Sequence, residues 1–211
     1  MKKIAIAVLL ALIVSGAFAQ GFQMSVGGGA FLDWSFNNGV KGTYNGDDYY
    51  FGIRNLSFGS YGFFDAAYVE VGVGIAYGWL TGIREVPGDS GSISGASTVQ
   101  LDLTLVGKYP FQFGSIILFP LLGISYNMAL SVKDVDGSSV LNASDLNQIG
   151  LLGGVGLDFG ITDSLYLRGE AMFHLRFPSK AMRDATGEYA FDTTTTLGLG
   201  PRIRVAVGYK F

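Results

Sequence analysis

The last stretch of the chain alternates strictly between apolar and other residues. From Ile203 to Phe211 every second position is apolar, and the positions between them hold glycine, alanine, lysine or arginine. A period of two places successive side chains on opposite faces of a strand. The pattern therefore predicts a β-strand with one apolar face that continues to Phe211.

Seven other segments show the same period, and turn-forming residues separate them. The clearest is 67–81, which places valine, isoleucine, tyrosine and tryptophan on one face and Glu70 with small residues on the other. The eight predicted strands are 22–36, 49–63, 67–81, 97–109, 115–131, 148–159, 165–177 and a last one that begins near Thr193. An even number of alternating strands is typical of bacterial transmembrane barrels.

Two of these strands are less regular than the others. The segment 49–63 directs Arg54 toward the apolar face, and the segment 115–131 directs Phe119 toward the polar face. We expect Arg54 to lie near the rim, where its charged end reaches water, or a bulge to reverse the register above it.

The predicted connections alternate in length, which supports a barrel independently of the strands. The long polar connections are 37–48, 82–96, 132–147 and 178–192, and the short ones are 64–66, 110–114 and 160–164. Outer-membrane barrels have long outside loops and short periplasmic turns. We therefore expect an all-β fold, a closed eight-stranded antiparallel up-and-down transmembrane β-barrel, with both termini in the periplasm and the long loops outside.

The N-terminus predicts a secretory signal peptide. Two lysines precede an apolar run from Ile4 to Val14, and small residues at 17 and 19 fit a cleavage site before Gln20. The run is short for a membrane span, and the alternative is a retained anchor helix. The predicted organisation is a signal peptide at 1–19 and an outer-membrane β-barrel domain at 20–211.

Composition agrees with a membrane barrel and argues against a nucleic-acid-binding protein and against a transmembrane helix. The chain has 32 glycines, 14% aromatic residues and no cysteine. Its 14 basic residues fall to 12 when Lys2 and Lys3 leave with the signal peptide, against 17 acidic residues, so no nucleic-acid partner is expected. After the signal peptide no apolar stretch is long enough for a transmembrane helix, which leaves strands to cross the membrane.

The charges on the polar faces of the predicted strands balance. Ten charged residues map to the inside of the barrel, and we predict that they form a lumenal charge network. They are Asp33, Glu70, Asp102, Lys108, Asp158, Arg168, Glu170, Arg176, Arg202 and Arg204. An eight-stranded barrel is just wide enough to be filled by side chains, and buried charges need partners. Hairpin geometry predicts that Glu70 pairs with Lys108, and Glu170 with Arg202 or Arg204.

Signals for catalysis and metal binding are weak. The single histidine, His174, maps to the lumen, and with no cysteine or second histidine it does not complete a zinc site. The segment Asp134–Asp145 places oxygens at some calcium-loop positions, but its sixth position, where a glycine is required, is Ser139. The pattern contains no recognisable nucleophile and base, so we expect no enzymatic activity, cofactor or metal.

The whole chain after the signal peptide resembles the small outer-membrane barrels of the OmpA, OmpX and OmpW type. The phrases "GKYPF" (Gly107–Phe111) and "FFDAAYVEVGVG" (Phe63–Gly74) resemble a spirochaete-like branch of these barrels. The resemblance implies that the barrel-assembly machinery reads the last strand, while periplasmic chaperones and outer-membrane lipid are further partners. The implied assembly signal is Ile203, Val205, Val207, Tyr209 and Phe211. The simpler interpretation is an ordinary closing strand.

Two functions remain open at this stage. In the first, the barrel is a narrow conduit for small solutes, apolar ones included, as the resemblance to the OmpW type implies. Six apolar residues on the polar faces support an apolar chamber: Phe31, Ile117, Phe119, Leu121, Leu152 and Met172. In the second, the barrel is a non-conducting anchor for adhesion or partner binding, because its four predicted loops carry ten acidic residues and five basic ones.

Overall fold

A computed structural model describes residues 24–44, 47–86, 89–134, 142–181 and 193–211. The predicted signal peptide lies outside the described residues. The strands are β1 (Met24–Tyr44), β2 (Asp47–Ala66), β3 (Val69–Val86), β4 (Asp89–Lys108), β5 (Phe111–Phe113), β6 (Ile116–Asp134), β7 (Gln148–Gly160), β8 (Leu165–Arg176), β9 (Thr193–Thr196) and β10 (Gly198–Lys210). A short 3-10 helix spans Ala143–Leu146.

The strands form one closed antiparallel sheet. Eight of them make a ring in the order β10, β8, β7, β6, β4, β3, β2, β1, and β10 closes the ring by pairing with β1. The two shortest strands add to this ring, since β5 pairs with β6 and β9 pairs with β1. Closure leaves the ring without an unpaired edge. The predicted fold, a closed eight-stranded antiparallel up-and-down barrel, is confirmed.

The apolar faces of the strands point outward and the polar faces point inward. Along β10 buried and exposed residues alternate from Gly198 to Tyr209. The exposed positions of β10 are apolar, such as Val205 (57% exposed), and the middle of β3 shows the same pattern at Ile75 (54% exposed). This is the reverse of a water-soluble barrel, whose polar residues face outward. Within the described residues, no helix combines the length and the apolar character needed to cross a membrane.

In two of the predicted long loops, the described residues are instead strand. Positions 37–48 and 82–96 contain many glycines, serines and aspartates, yet β1 and β2 pair as far as Tyr44 and Asp47, and β3 and β4 as far as Val86 and Asp89. Turn-forming composition therefore did not end these strands. Register shifts between Ser35 and Asn38, and opposite Leu80–Gly82, absorb extra residues while the pairing continues. We call this end of the barrel the loop end and the opposite one, with Met24 and Phe211, the turn end.

Arg54 keeps the outward position that alternation predicts. It is exposed and lies opposite Thr81, two residues beyond the outward Leu56–Trp79 pair toward the loop end. The pairing of β2 with β3 is continuous there, so no bulge reverses this strand. The expected bulge lies in the neighbouring β1 instead.

Aromatic rings gather at both ends of the outer surface. Near the loop end Phe58 stacks on Trp79 with ring centroids 5.5 Å apart, and Trp34 lies 4.7 Å from Phe36. Near the turn end Tyr109 lies 5.9 Å from Tyr68. Between these two groups many outward residues are aliphatic, such as Val71, Val73 and Ile75, so the outer surface carries an apolar band between two aromatic rims.

Candidate functional site: a lumen filled by charged side chains

The structure brings all ten charged residues predicted for the lumen into the interior of the barrel. Each of these side chains is buried. Asp65, near the end of β2, joins them and was missed because it falls in the predicted turn 64–66. In the described part of the chain the buried set therefore holds six carboxylates and five cations rather than five of each.

Arg168 on β8 organises the half of the lumen nearer the turn end. Its guanidinium donates to both oxygens of Asp158 at 2.7 Å and to Asp65 Oδ2 at 2.6 Å. A further N–H donates to Glu70 Oε2. The same guanidinium lies 4.6 Å from the centre of the Phe63 ring. One arginine thus ties together three carboxylates from three strands.

Lys108 does not lie opposite Glu70 as predicted. Glu70 lies opposite Val106, and the Lys108 ammonium donates to Asp65, with Glu70 Oε2 at 4.0 Å. The prediction assumed that the hairpin begins at the ends of a long loop. The tight hairpin that closes at Val86 and Asp89 sets the register instead, two residues away from the expected one.

Arg202 on β10 organises the other half of the lumen. It holds Asp102 with two parallel hydrogen bonds of 3.0 and 2.8 Å, and it donates to Asp33 at 2.6 Å through Nε. Arg176 pairs with the second oxygen of Asp33 at 2.8 Å. Two carboxylates and two guanidiniums balance in this layer, and paired, hydrogen-bonded geometry is what makes such burial tolerable.

Arg204 and Glu170 connect the two halves. They lie directly opposite each other on β10 and β8, with 3.6 Å between Arg204 Nη1 and Glu170 Oε2. The same nitrogen is 3.5 Å from Glu70 Oε1, and Arg204 Nη2 donates to Thr104 at 3.2 Å. Of the two alternatives for Glu170, the structure brings Arg204 rather than Arg202 to it.

Ser125, His174 and Asp33 meet in the lumen, a contact that the sequence pattern did not predict. Ser125 Oγ lies 2.7 Å from His174 Nε2, and His174 Nδ1 lies 3.1 Å from Asp33 Oδ2. The spacing is that of a hydrolytic triad. However, Arg176 Nε lies 3.3 Å from the same His174 Nδ1, and all three side chains are buried. The group therefore serves as a hydrogen-bonded link between β6, β8 and β1.

The six apolar residues predicted to line a chamber are in the lumen but pack in two places. Phe119, Leu121, Leu152 and Met172 form one cluster with Val106, and Ile117 packs against it. Phe31 belongs to a separate cluster with aromatic rings from β2. The residues fill space beside the charged network, so the expected open chamber is occupied by side chains.

Cavities remain at the two ends of the lumen. The one at the loop end measures about 30 Å³ and is bounded by polar side chains such as Asn38, Asn127 and Arg176. The one at the turn end measures about 210 Å³ and is bounded by Asp65 and Lys108 among others. In the described residues no cluster of three or more histidine, aspartate or glutamate side chains is arranged to hold a metal ion.

The five residues of the implied assembly signal lie on the outer surface of the last strand. Each is about half exposed or more, and Phe211 is 65% exposed. The Phe211 N–H donates to the Met24 carbonyl at 3.1 Å, which ties the end of the chain to the start of β1. Recognition of these residues by assembly machinery stays a prediction.

The barrel has counterparts among solved structures. It superposes on the outer membrane protein OprG from Pseudomonas aeruginosa with a TM-score of 0.50 and 16% identity, over 90% of this chain and 96% of that one. The chain has the fold of a small outer-membrane β-barrel. This likeness concerns the fold alone.

Two other solved barrels are less similar. Neisserial surface protein A gives a TM-score of 0.48 and 12% identity, over 89% of this chain and 97% of that one. Ail, the attachment invasion locus protein of Yersinia pestis, was solved with the heparin analogue sucrose octasulfate. It gives a TM-score of 0.45 and 13% identity, over 90% of this chain and 99% of that one. No family model matches the chain. No curated protein matches it in sequence.

Proposed function

We propose that the protein is a sealed β-barrel of the outer membrane that anchors a surface platform for adhesion or partner binding. The observation that carries this proposal is the occupied lumen. The Arg202–Asp102 and Arg168–Glu70 pairs each join strands that lie opposite in the ring of eight, so each crosses the full width of the barrel. Side chains held this way leave no room for a solute.

The outer surface supports residence in a membrane. On β3 the residues between the two aromatic rims run from Val69 to Trp79, and about 9–11 residues suffice for a tilted strand to span a bilayer. The outward positions in this stretch are valine, isoleucine, tyrosine and tryptophan. Lipid chains would cover this surface, which water would solvate poorly.

Strand length supports a platform at the loop end. Beyond Trp34, Leu56 and Trp79, the sheet continues through β1, β2, β3 and β4, and β9 adds to its edge at β1. These extensions exceed what spanning requires. We place them outside the cell and the two termini in the periplasm, because outer-membrane barrels carry their longer connections outside.

We favour the anchor over the conduit that the sequence also suggests. A conduit would have to break the pairs of Asp33, Glu70 and Arg204, whose side chains are at most 1% exposed. Separating buried partners costs about 3–5 kcal/mol for a pair. We also infer that the barrel is not an enzyme, because Ser125 is buried beside His174 with no access for a substrate.

Surface display can be tested on intact cells. An epitope inserted between residues 45 and 46, where β1 and β2 are joined, should bind antibody without permeabilisation. An epitope inserted between residues 162 and 163, in the turn between β7 and β8, is the matched control and should bind only after permeabilisation. The opposite result would contradict the proposed orientation.

Sealing can be tested separately in liposomes. Vesicles that contain the refolded protein should swell in small sugars and amino acids no faster than empty vesicles. Swelling that scales with the amount of folded protein would favour the conduit over the sealed anchor.

A further inference from the structure

The cavity at the loop end presents hydrogen-bond acceptors. Asn38, Asn55 and Asn127 come from β1, β2 and β6 and all border this cavity. Their side chains are 4–6% exposed. The Oδ1 atom of each lacks a hydrogen-bond partner among the described residues. Buried carbonyl oxygens without partners are costly, so three around one space indicate a ligand that donates.

Three of the side-chain amides at this cavity already donate to other groups of the protein. Asn127 Nδ2 donates to Asp102 at 2.5 Å, which turns Asn127 Oδ1 away from that contact. Gln100 and Gln148, which also border the cavity, donate through Nε2 to Thr98 Oγ1 at 2.8 Å and to the Phe177 carbonyl at 3.3 Å. The Asn127 amide is thus oriented so that its acceptor end is left for a ligand.

Among the described residues that border this cavity the cation is Arg176, and it has its own partners. The Arg176 guanidinium pairs with Asp33 at 2.8 Å, donates to Ser35 Oγ at 3.2 Å and lies 3.3 Å from His174 Nδ1. Its charge is therefore balanced inside the barrel. The other described residues that border the cavity are uncharged, and the three unpartnered Oδ1 acceptors do not suit an anion.

The size of the cavity and its apolar side further restrict which ligand can bind. The space of about 30 Å³ admits one group of roughly the size of a water molecule. Ile53, Leu80 and Leu146 also border the cavity and give it an apolar side. A primary ammonium has three N–H donors on a compact head, and an alkyl stem suits apolar walls. Three acceptors, one small space and an apolar side together match this shape.

We propose that the loop-end cavity binds the terminal ammonium of an alkylammonium group. Asn38, Asn55 and Asn127 accept its three N–H donors in the space of about 30 Å³, and its methylene stem lies outside that space against the apolar side. The group has two possible sources, a lysine side chain on another protein or a free alkylamine. The proposal concerns binding to the purified barrel and does not depend on which way the barrel faces in the membrane.

Calorimetric titration of the full barrel in detergent micelles tests the proposal. The probes are n-butylammonium and an Ala-Lys-Ala peptide, each compared with its N-acetylated form, which keeps the stem but loses the charge. We expect at least one amine to bind saturably and its acetylated form to bind at least tenfold more weakly. Binding of the peptide alone would indicate a protein source, and binding of both probes would allow a free amine.

Variants show whether the cavity is responsible. Asn38→Leu and Asn55→Leu keep side-chain size, remove an acceptor and should each weaken amine binding about tenfold or more. Gln112→Leu, at the turn end, is the matched control and should bind like the wild type. Asn55→Asp adds a negative charge and should strengthen binding, which protects the test if a leucine variant folds poorly. Absence of saturable binding, equal binding of amine and acetylated probe, or unchanged binding in folded Asn38→Leu and Asn55→Leu would overturn the proposal.

Discussion

Arg202 and Asp102 form a two-pronged salt bridge across the whole width of the barrel. Arg202 lies on β10 and Asp102 on β4, which are opposite members of the ring, and their paired hydrogen bonds measure 3.0 and 2.8 Å. A bridge between neighbouring strands would only line the wall. One between opposite strands fills the centre, and it fixes the distance between the two walls at the same time.

Loss of one partner of this bridge should destabilise the barrel strongly. Asp102→Ala leaves Arg202 without its two-pronged partner in the interior, so the free energy of unfolding should fall by about 3–5 kcal/mol. Equilibrium unfolding by urea or guanidinium in detergent micelles measures this loss of free energy. Asp145→Ala, at the exposed pair with Lys180, is the control and should cost less than about 1 kcal/mol.

Replacement of both partners refines this test. The double variant Asp102→Leu with Arg202→Met removes both charges and should recover part of the stability that Asp102→Ala loses. If Asp102→Ala unfolded like the wild type, the bridge would not be formed in solution.

Gly150 should not tolerate a larger side chain. A Cβ atom at this position would collide with the His174 ring, which lies against the β7 backbone there. Gly150→Val should therefore displace His174 from Ser125 and cost about 1–3 kcal/mol. Gly153→Ala on the same strand would meet only an ordinary contact with Leu122 and serves as the control. Equal stability of the two variants would argue against this placement of His174.

The strand pattern was predictable because alternation is a local property of the sequence. Each residue in a strand faces either side by parity alone, so the inward positions of Asp33, Arg168 and Arg204 followed from the letters around them. The pairs that these residues form across the lumen could not be predicted in the same way. Alternation tells which face a side chain is on, but it does not give its position along the barrel axis. The Arg202–Asp102 bridge joins residues one hundred positions apart and needed the closed ring to become visible.

The wrong predictions concern segments that were assigned as loops or turns because they contain turn-forming residues. Glycine, serine and aspartate in 37–48 and 82–96 suggested loops, while pairing with a neighbouring strand kept the backbone extended. The same assumption gave the wrong register for Glu70, which lies opposite Val106 rather than Lys108. It also placed Asp65 in a predicted turn, although this residue belongs to β2. The meeting of Ser125 with His174 depended on the same three-dimensional register.

The C-terminal aromatic residue should matter more for assembly than for stability. A chain without Phe211 keeps every lumenal group and loses one outward ring, so it should refold in micelles and lose about 1–3 kcal/mol. It should nevertheless accumulate poorly in the outer membrane if assembly machinery reads this residue. Quantitative immunoblots of outer-membrane fractions, with refolding in micelles in parallel, give both readouts.

A second exposed ring provides the control for that experiment. Phe113 on β5 is about as exposed as Phe211 but lies outside the last strand. Phe113→Ala should reach the outer membrane at wild-type levels. If the chain without Phe211 did so too, Phe211 would be an ordinary interfacial residue.

The predicted signal peptide has a direct mass signature. Cleavage after Ala19 removes the two lysines and the apolar run, so the protein recovered from outer membranes should begin at Gln20. Intact-mass spectrometry with N-terminal peptide mapping measures this. Recovery of Met1 in the membrane-inserted protein would instead support a retained N-terminal anchor.

The most direct test of the sealed lumen is single-channel conductance of the refolded protein in a planar bilayer. The wild type should insert without steady ion current, because side chains from opposite walls meet across the lumen. Asp102→Ala provides a variant with that contact broken and should give more frequent current fluctuations than the wild type. A stable, reproducible open state in the wild type would contradict the sealed barrel.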